Sequence, residues 1–570
     1  MINKSGRDYM DYRIQQMQSE FSSWRPHFQE LNNNFQPRRG KFNVGDRNKG
    51  QKRTQLPNNT PLFAKRTLRS GMMTGITSPA RPWFKLAPPD ERMSEFGPVR
   101  AWLDDVQTVM YTVFAKSGLY RVLPNMYEEV GVIGTACMMQ EEDFDNITKF
   151  TPFTVGEYLL DIDGNRRVDT FAREYQMTVY QMIDRFGLEN CSGHVKSLYD
   201  SRHYSAWIDV RHLIEKNNRK FAGLDVSQEF DYRSVYYEVT REDQESLLSL
   251  KGYHEFPIHA PRWDTKPGDT YGIGPGMDAI GDSLALQVQE KESGKAIAKM
   301  VSPPTTAPSA LKNVQVSLLP GANNFSDDPN NVFRAIYQVD PRVGELEAKM
   351  RTTEDRINRA FYVDLFLMLA NDPRNQRATA TEIAQKHEEK LLQLGPVLEN
   401  LNDELLDPLI ERTFKMMVRA SEPGWNGLTD FMVIPPPPKE LMDRESGKVG
   451  KLKVEYVSIL AQAQKMVATG ATERWVGFVG QMAAIPGLES VIDKVNADEI
   501  ADNMAEDLGV PNKAVHTEDE VAEKREERAK AQAAQQQQEQ ITQMTDAAHK
   551  MSQSETTGGN VLSDVLGVGQ

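Results

Sequence analysis

The sequence predicts an α+β protein in which sheet-forming and helix-forming stretches are segregated along the chain. Three features carry this reading: β-like segments concentrate between residues 120 and 263, three long helical periodicities follow between 277 and 419, and the C-terminal third is mainly helical in pattern. A length of 570 residues is about four times a typical domain, so several substructures are expected. Hydrophobic residues make up 39% and charged residues 26%, with a mean hydropathy of -0.56, the balance of a soluble folded chain. The most apolar stretch, residues 361–370, already contains Asp364, and a spanning helix needs about 20 apolar residues, so no transmembrane helix is expected.

The opening MINKSGRDYMDY has no apolar segment behind its first positive charges, so no secretory signal is expected. Cys137 and Cys191 are the only cysteines, which points to a reducing compartment with neither a disulfide framework nor a cysteine-based zinc site. Charge is uneven. Residues 1–80 hold 14 Lys and Arg against 5 Asp and Glu, whereas the whole chain carries -14. A body so acidic does not grip nucleic acid over its whole surface, because binding needs Lys and Arg at the phosphates.

Taken in order, residues 1–60 form a basic N-terminal arm rich in Asn, Gln and Arg, with Arg38, Arg39, Lys41, Arg47, Lys49, Lys52 and Arg53 clustered near its end. Such an arm is either solvated and loosely ordered or an anion-binding element that meets nucleic acid or an acidic partner. Residues 61–276 are mixed α+β. Val99, Trp102, Leu103, Val106, Val109, Met110, Val113 and Phe114 recur at three and four, a packing helix with Gly118 just beyond it. Residues 120–171 read as short β-like segments, with Asp163-Gly164 as a hairpin turn. Thr178 with Gln181 is a capping box that opens a short helix ending at Gly187. YRSVYYEVT and EFPIHAPRW, between residues 232 and 263, give a second β-rich stretch.

A first long helix is expected over 277–302, about 36 Å in its regular part, closed by Pro303, Pro304 and Pro308. The insert 303–342 carries two strand-like runs, VQVSLL and NVFRAIYQV, around a turn-rich segment. A second helix is expected over 343–370, with Leu346, Met350, Ile357, Phe361, Leu365 and Met368 on one face, then a polar loop over 371–378. Thr379 and Glu382 open a third helix within 379–424, expected to kink at Pro396 and again near Pro408. Residues 425–515 read as short helices after the connector 435–438, and 516–570 as a Gln-rich helix with a flexible tail.

Chemical motifs are missing. No phosphate-binding loop string occurs, and His387-Glu388 lacks the second histidine of a zinc-protease helix. Gly272, Gly274 and Gly276 lack the third glycine of a dinucleotide fingerprint and read instead as a turn in which Pro275 starts a helix. Asp161, Asp163 and Asn165 fit a hairpin better than a calcium loop, and the nine-residue spacing of His194, His203 and His212 matches no ligand pattern. No catalytic residue, cofactor or metal is assigned, and a dispersed hydrolytic site is the only enzymatic alternative.

Five blocks carry a family resemblance: LRSGMMTGITSPARPWFKL (68–86), PNMYEEVGVIGTACMMQEED (124–143), FPIHAPRWDTKPGDTYGIGPG (256–276), TATEIAQKHEEKL (379–391) and LNDELLDPLIERTF (401–414). Over about residues 7–420 the chain resembles the portal, or head-to-tail connector, proteins of short-tailed bacteriophages. That resemblance implies an α+β portal fold with a β-rich wing (61–276), long stem helices (277–302 and 343–370), a small α/β clip (303–342) and a tunnel loop (371–378). It further implies a kinked wing helix (379–424) and a helical crown (425–515). The implied assembly is a dodecameric ring at one capsid vertex of the virion, built in the host bacterial cytoplasm, that double-stranded DNA crosses without sequence specificity. The implied partners are the terminase, major capsid and scaffolding proteins, and tail adaptor proteins at the clip; the competing reading is a tail or adaptor ring that only binds proteins.

Twelve chains at -14 total -168, a wall that repels DNA, so sparse positive rings would centre it. Lys291, Lys295 and Lys299 share a helix face and would form rings about 6 Å apart. Their alternative is a solvated face paired with Glu290, Glu292 or a neighbour's carboxylates. Arg374 and Arg377 are the second candidates for DNA contact, with pairing to Asp372 or Glu382 as their alternative.

Overall fold

The computed structural model describes residues 4–45, 56–88, 90, 93, 96–143, 145–217, 226–239, 247–303, 305–306, 309, 334–335, 343–370, 394–421, 434–442, 450, 452–483, 485, 489–507, 518–553, 555–556 and 559–560. It divides into two compact units, one holding residues 1–85, 106–435 and 454–494, the other 86–105, 436–453 and 495–570.

The first unit opens with helix α1 (Lys4–Phe35), which corrects the expectation of a loosely ordered arm. Met10, Ile14, Met17, Phe21, Phe28, Leu31 and Phe35 are all buried, and their spacing of three, four and seven places them on one stripe. Phe28 and Phe21 pack edge-on against Tyr271, while Asp11 accepts a 2.7 Å bond from Arg211. The abundant Asn, Gln and Arg on the other face hide this stripe from any composition-based reading. Of the basic cluster, Arg39 lies 3.5 Å from Glu128 and Lys41 3.3 Å from Glu157, so these two pair with the body; residues 47, 49, 52 and 53 lie outside the described residues.

Helix α2 (Thr60–Gly75) follows, then strand β1 (Phe84–Ala87) and helix α3 (Gly97–Lys116). Within this unit α3 contributes the buried Val106, Met110, Val113 and Phe114, as its periodicity predicts, and Trp83 stacks on Phe114. Gly118, with φ of +77°, turns the chain directly into helix α4 (Leu119–Ile133). The β-like reading therefore begins too early. Residues 119–133 mix Val, Tyr and Ile with charges in a way that suits either period, and burial on nearly every side selects the helix.

Two antiparallel sheets come next. Strands β2 (Cys137–Asp143) and β3 (Ile147–Phe153) pair from Cys137 opposite Phe153 to Asp143 opposite Ile147, with β9 (Ile258–His259) on the other edge of β2. The larger sheet has the order β4 (Leu159–Ile162), β5 (Val168–Thr178), β6 (Trp207–Lys216), β7 (Tyr232–Glu238), β8 (Ser249–Tyr253), leaving β8 on an edge. The β4–β5 turn holds Asp163, whose carboxylate accepts from the amides of Asn165 and Arg167, so the aspartates here shape a hairpin as expected. Thr178 and Gln181 form both bonds of the expected capping box at helix α5 (Val179–Phe186), which ends on Gly187. Helix α6 (Gly193–Asp200) and α5 cover one sheet face, packing Val179, Met182, Phe186 and Val195 against Val210 and Tyr236.

Helix α7 (Pro275–Val301) is the first of the long helices. From the insert, Thr305–Thr306 pairs with Arg334–Ala335 inside the expected NVFRAIYQV run; VQVSLL lies outside the described residues. The second long helix is not continuous. Helix α8 (Val343–Ala360) stops, Tyr362 takes a left-handed φ of +53°, and helix α9 (Val363–Ala370) resumes. Helical residues 394–401 lead into a π-helical turn, Asn402–Leu406, and then helix α10 (Asp407–Ala420). Helix α11 (Ile459–Ala483), 25 residues long, replaces the short helices read there.

The second unit contains helix α12 (Ala497–Asp507) and helix α13 (Glu518–Gln553), joined by Arg525 to Asp498 at 2.6 Å. The described side chains of α13 are almost all exposed, Ile541 and Met544 among them, as its few apolar residues predict. Beyond it Glu555–Thr556 pairs with Gly559–Asn560, a short hairpin within the segment read as a flexible tail.

Candidate functional site

The candidate site is built on α7 and on what fixes it to the rest of its unit. Gly274 is the extended N-cap and Pro275 the first helical residue, as the turn reading expects. This end meets the C-terminus of α4 backbone to backbone. A Cβ on Gly276 would lie 2.3 Å from the Val132 carbonyl, and one on Gly134 would lie 2.3 Å from the Gly272 carbonyl. Gly134 also has a φ of +87°, so it is a glycine for both conformation and space. The GIGPG string is thus a mechanical joint rather than a nucleotide loop.

A second clamp crosses the other end of this region. Arg262 lies against Glu404 in the π-helical turn, with Nε donating to the carboxylate at 3.0 and 3.2 Å and a further close contact from its terminal nitrogen. The Arg262 amide donates to the same carboxylate at 2.9 Å, and the guanidinium also reaches the Arg166 carbonyl at 2.8 Å. Pro408 accounts for the π-helical turn just before it: its ring displaces the carbonyl four residues back and it offers no N–H, so the helix widens. A kink is expected near Pro408; what the structure shows there is this π-helical turn. Pro396 sits within helical residues 394–401, and residues 379–393, including the capping box at Thr379, lie outside the described residues.

Helices α7 and α8 run as an antiparallel pair. Asn58 ties them together, donating to Glu290 at 3.2 Å and Glu354 at 2.9 Å, while its backbone exchanges bonds with Gln287. Arg356 stands 3.7 Å from Asp282 nearer the joint. Ala279, Ser283, Leu286 and Ser293 form the buried side of α7. The opposite side carries Leu284, 40% exposed, Val288, 61% exposed, and then Lys291, Lys295 and Lys299 in line below them. All three lysines are exposed. Lys295 reaches Glu292 at 2.6 Å, one of the pairings its alternative reading names. Arg374 and Arg377 lie outside the described residues.

Electrostatics concentrate behind the joint, on α4. Glu128 is held by Lys65 at 2.6 Å, Arg69 at 3.0 Å and Arg39 at 3.5 Å. Burial works against its ionisation, yet these cations hold its carboxyl below the usual range. Its neighbour Glu129 is 1% exposed and accepts from the amide of Val155 and from Thr154 Oγ1. There burial wins over the hydrogen bonds and Arg39, pushing the carboxyl up to about 7. Neither glutamate is a candidate from sequence, although the tandem acids inside an otherwise apolar helix are the signal. His212 is buried, stacked on Tyr236 and bonded to Ser234, while His194 and His203 are exposed in other elements. Among the described residues no group of three or more His, Cys, Asp or Glu is arranged to hold a metal, and no helix is long and apolar enough to cross a membrane.

Two relatives match this chain over nearly its whole length. It is 39% identical over 568 residues to the "Probable portal protein" of Bordetella phage BPP-1, covering 99% of each, and 39% identical over 558 residues to the "Portal protein" of Salmonella phage epsilon15, covering 97% and 96%. A chain of the solved "Virion of native gene transfer agent (GTA) particle" is 10% identical and superposes on 80% of this chain and 95% of its own, with a TM-score of 0.31. Residues 7–515 match the family described as "Bacteriophage head to tail connecting protein", and the chain belongs to that family.

Proposed function

We propose that this protein forms the portal ring at one capsid vertex, a channel through which double-stranded DNA enters and leaves and on which the terminase and the tail dock. The observation that carries the ring is the outer side of α7. Leu284 and Val288 present apolar surface on the side away from α8, a patch that water does not favour and that lateral copies of the same chain would cover. Kinship with proteins named as portals supplies the setting. The ring is a structural conduit without an enzymatic step of its own. It assembles in the bacterial cytoplasm with capsid and scaffolding proteins and remains in the virion.

In this reading α7 and α8 are the stem, residues 303–342 the clip that meets tail adaptor proteins, and 371–378 the loop facing the tunnel, with a kink at Pro396 turning the chain back into the wing. The net charge of -14 per chain keeps DNA from adhering; lateral contact is confined to the upper part of α7 at Leu284 and Val288, and Lys291, Lys295 and Lys299 lower on the same side, with Arg374 and Arg377, place positive rings along the bore. Light scattering on purified protein tests the assembly: the native chain runs as a ring of about twelve 64.5 kDa subunits, and the double variant Leu284→Glu, Val288→Glu runs as a monomer with an unchanged circular-dichroism spectrum. A monomeric native chain would refute the reading.

A further inference from the structure

An open groove of about 1340 Å³ lies within the first unit, lined by no residue of the stem helices, and nothing in the portal reading uses it. One wall is α5 and the other is β8, the edge strand of the five-stranded sheet. Its surface is aromatic, with Tyr175, Tyr180, Phe186, Phe230, Tyr236 and Tyr253 among the lining residues, and Tyr180 is 67% exposed. Rings with polar edges beside an arginine are the composition of protein-binding hot spots.

Its charged lining is mixed, with Lys149, Arg185, Lys251 and Arg419 against Glu141, Glu142 and Asp184, and the cations lie on both walls, Arg185 on α5 and Lys251 on β8. The Tyr175 hydroxyl is buried without a hydrogen-bond partner. Behind it the guanidinium of Arg173, 8% exposed, lies 4.1 Å from the centre of the Tyr175 ring, with its Nε also unpartnered. The Arg185 guanidinium lies over the Tyr236 and Phe186 rings at 5.0 and 5.6 Å and donates to the Tyr236 hydroxyl at 3.0 Å. Its nearest carboxylate, Glu141, is 3.9 Å away and is shared with Lys149 at 3.6 Å. Glu142 is engaged by Arg419 at 2.8 Å. Lys251, exposed on the edge strand, adds one more cation along the same wall.

We propose that this groove binds an extended acidic segment of a partner protein. The segment adds as a strand along the outer edge of β8 and sets a carboxylate between Arg185 and Lys251. Strand addition supplies sequence-independent affinity through the main chain, and the aromatic floor with its cations selects acidic side chains. Lys251 on the edge discourages pairing with a like edge while favouring an acidic strand.

Fluorescence anisotropy on the purified full-length oligomer tests this, using a labelled heptapeptide of alternating Val and Asp and a counterpart with Lys in place of Asp. The acidic peptide is expected to bind saturably and the basic one not to bind. Arg185→Glu and Lys251→Glu, both at exposed positions, are each expected to weaken binding at least tenfold while leaving the oligomer's mass unchanged. Equal binding of both peptides, no saturable binding by either, indifference to both substitutions, or displacement of the peptide by duplex DNA would each overturn the proposal. Protection from hydrogen exchange, in the oligomer before peptide is added, of those amides of residues 249–253 that do not bond to β7 would overturn it as well, because a second copy would then fill the groove.

Discussion

Glu129 shows how a single buried group ties stability to pH. A carboxyl whose folded-state pKa lies above its unfolded value binds its proton more tightly when folded, so stability is highest below the unfolded value of 4.5, declines as pH rises, and levels off above about 7. Glu129→Gln is expected to flatten the pH dependence of urea unfolding across that window and to gain up to about 3 kcal/mol at pH 8. An unchanged slope would show that Arg39 and the Val155 amide already keep the group ionised. The Arg262–Glu404 clamp makes the opposite kind of prediction. Arg262→Ala strands a largely buried carboxylate and is expected to cost about 3 kcal/mol. Arg262→Lys recovers little, because an ammonium cannot reproduce the fork that reaches Glu404 and the Arg166 carbonyl together. Chemical denaturation of both variants measures this. Local signals of this kind are legible when both partners are close in sequence, as at Thr178 and Gln181. Arg262 and Glu404 are 142 residues apart, and no local rule pairs them.

Among elements, α7 was readable from periodicity and from the prolines that close it, while the break in the second long helix was not. Phe361, Leu365 and Phe366 are all buried, with Phe361 5.3 Å from Phe35 and Phe366 against Gly71 of α2. A continuous helix keeps to one stripe, whereas the turn at Tyr362 re-aims α9 into this pocket, so tertiary packing overrides a strong local pattern. α1 was missed for the reverse reason, its stripe being diluted by polar residues. The joint at the head of α7 yields the element-scale prediction. Gly276→Ala places a methyl 2.3 Å from the Val132 carbonyl, which is backbone and cannot swing away. Thermal unfolding is expected to fall by several degrees, for a loss of about 1–3 kcal/mol. Ala at Gly281, where nothing lies within 4 Å, is the control and should be neutral or slightly stabilising.

At the scale of the whole molecule, composition and charge were the most informative features of the sequence. In the proposed ring, the net charge of -14 and the paired helices α7 and α8 would form a wall rather than a grip. The lysine row of α7 is exposed, but the sequence alone cannot separate a channel role from pairing, and Lys295 does reach Glu292. Reversing Lys291, Lys295, Lys299, Arg374 and Arg377 to Glu is expected to leave rings intact and to slow DNA packaging in a reconstituted reaction; unchanged packaging and ejection would remove these residues from any contact with DNA. The most direct measurement is cryo-electron microscopy of the purified oligomer viewed end-on. A closed ring with α7 and α8 standing around an open bore that admits a duplex is the expected image. A monomer, or an assembly whose centre is too narrow for a duplex in every class, would contradict it.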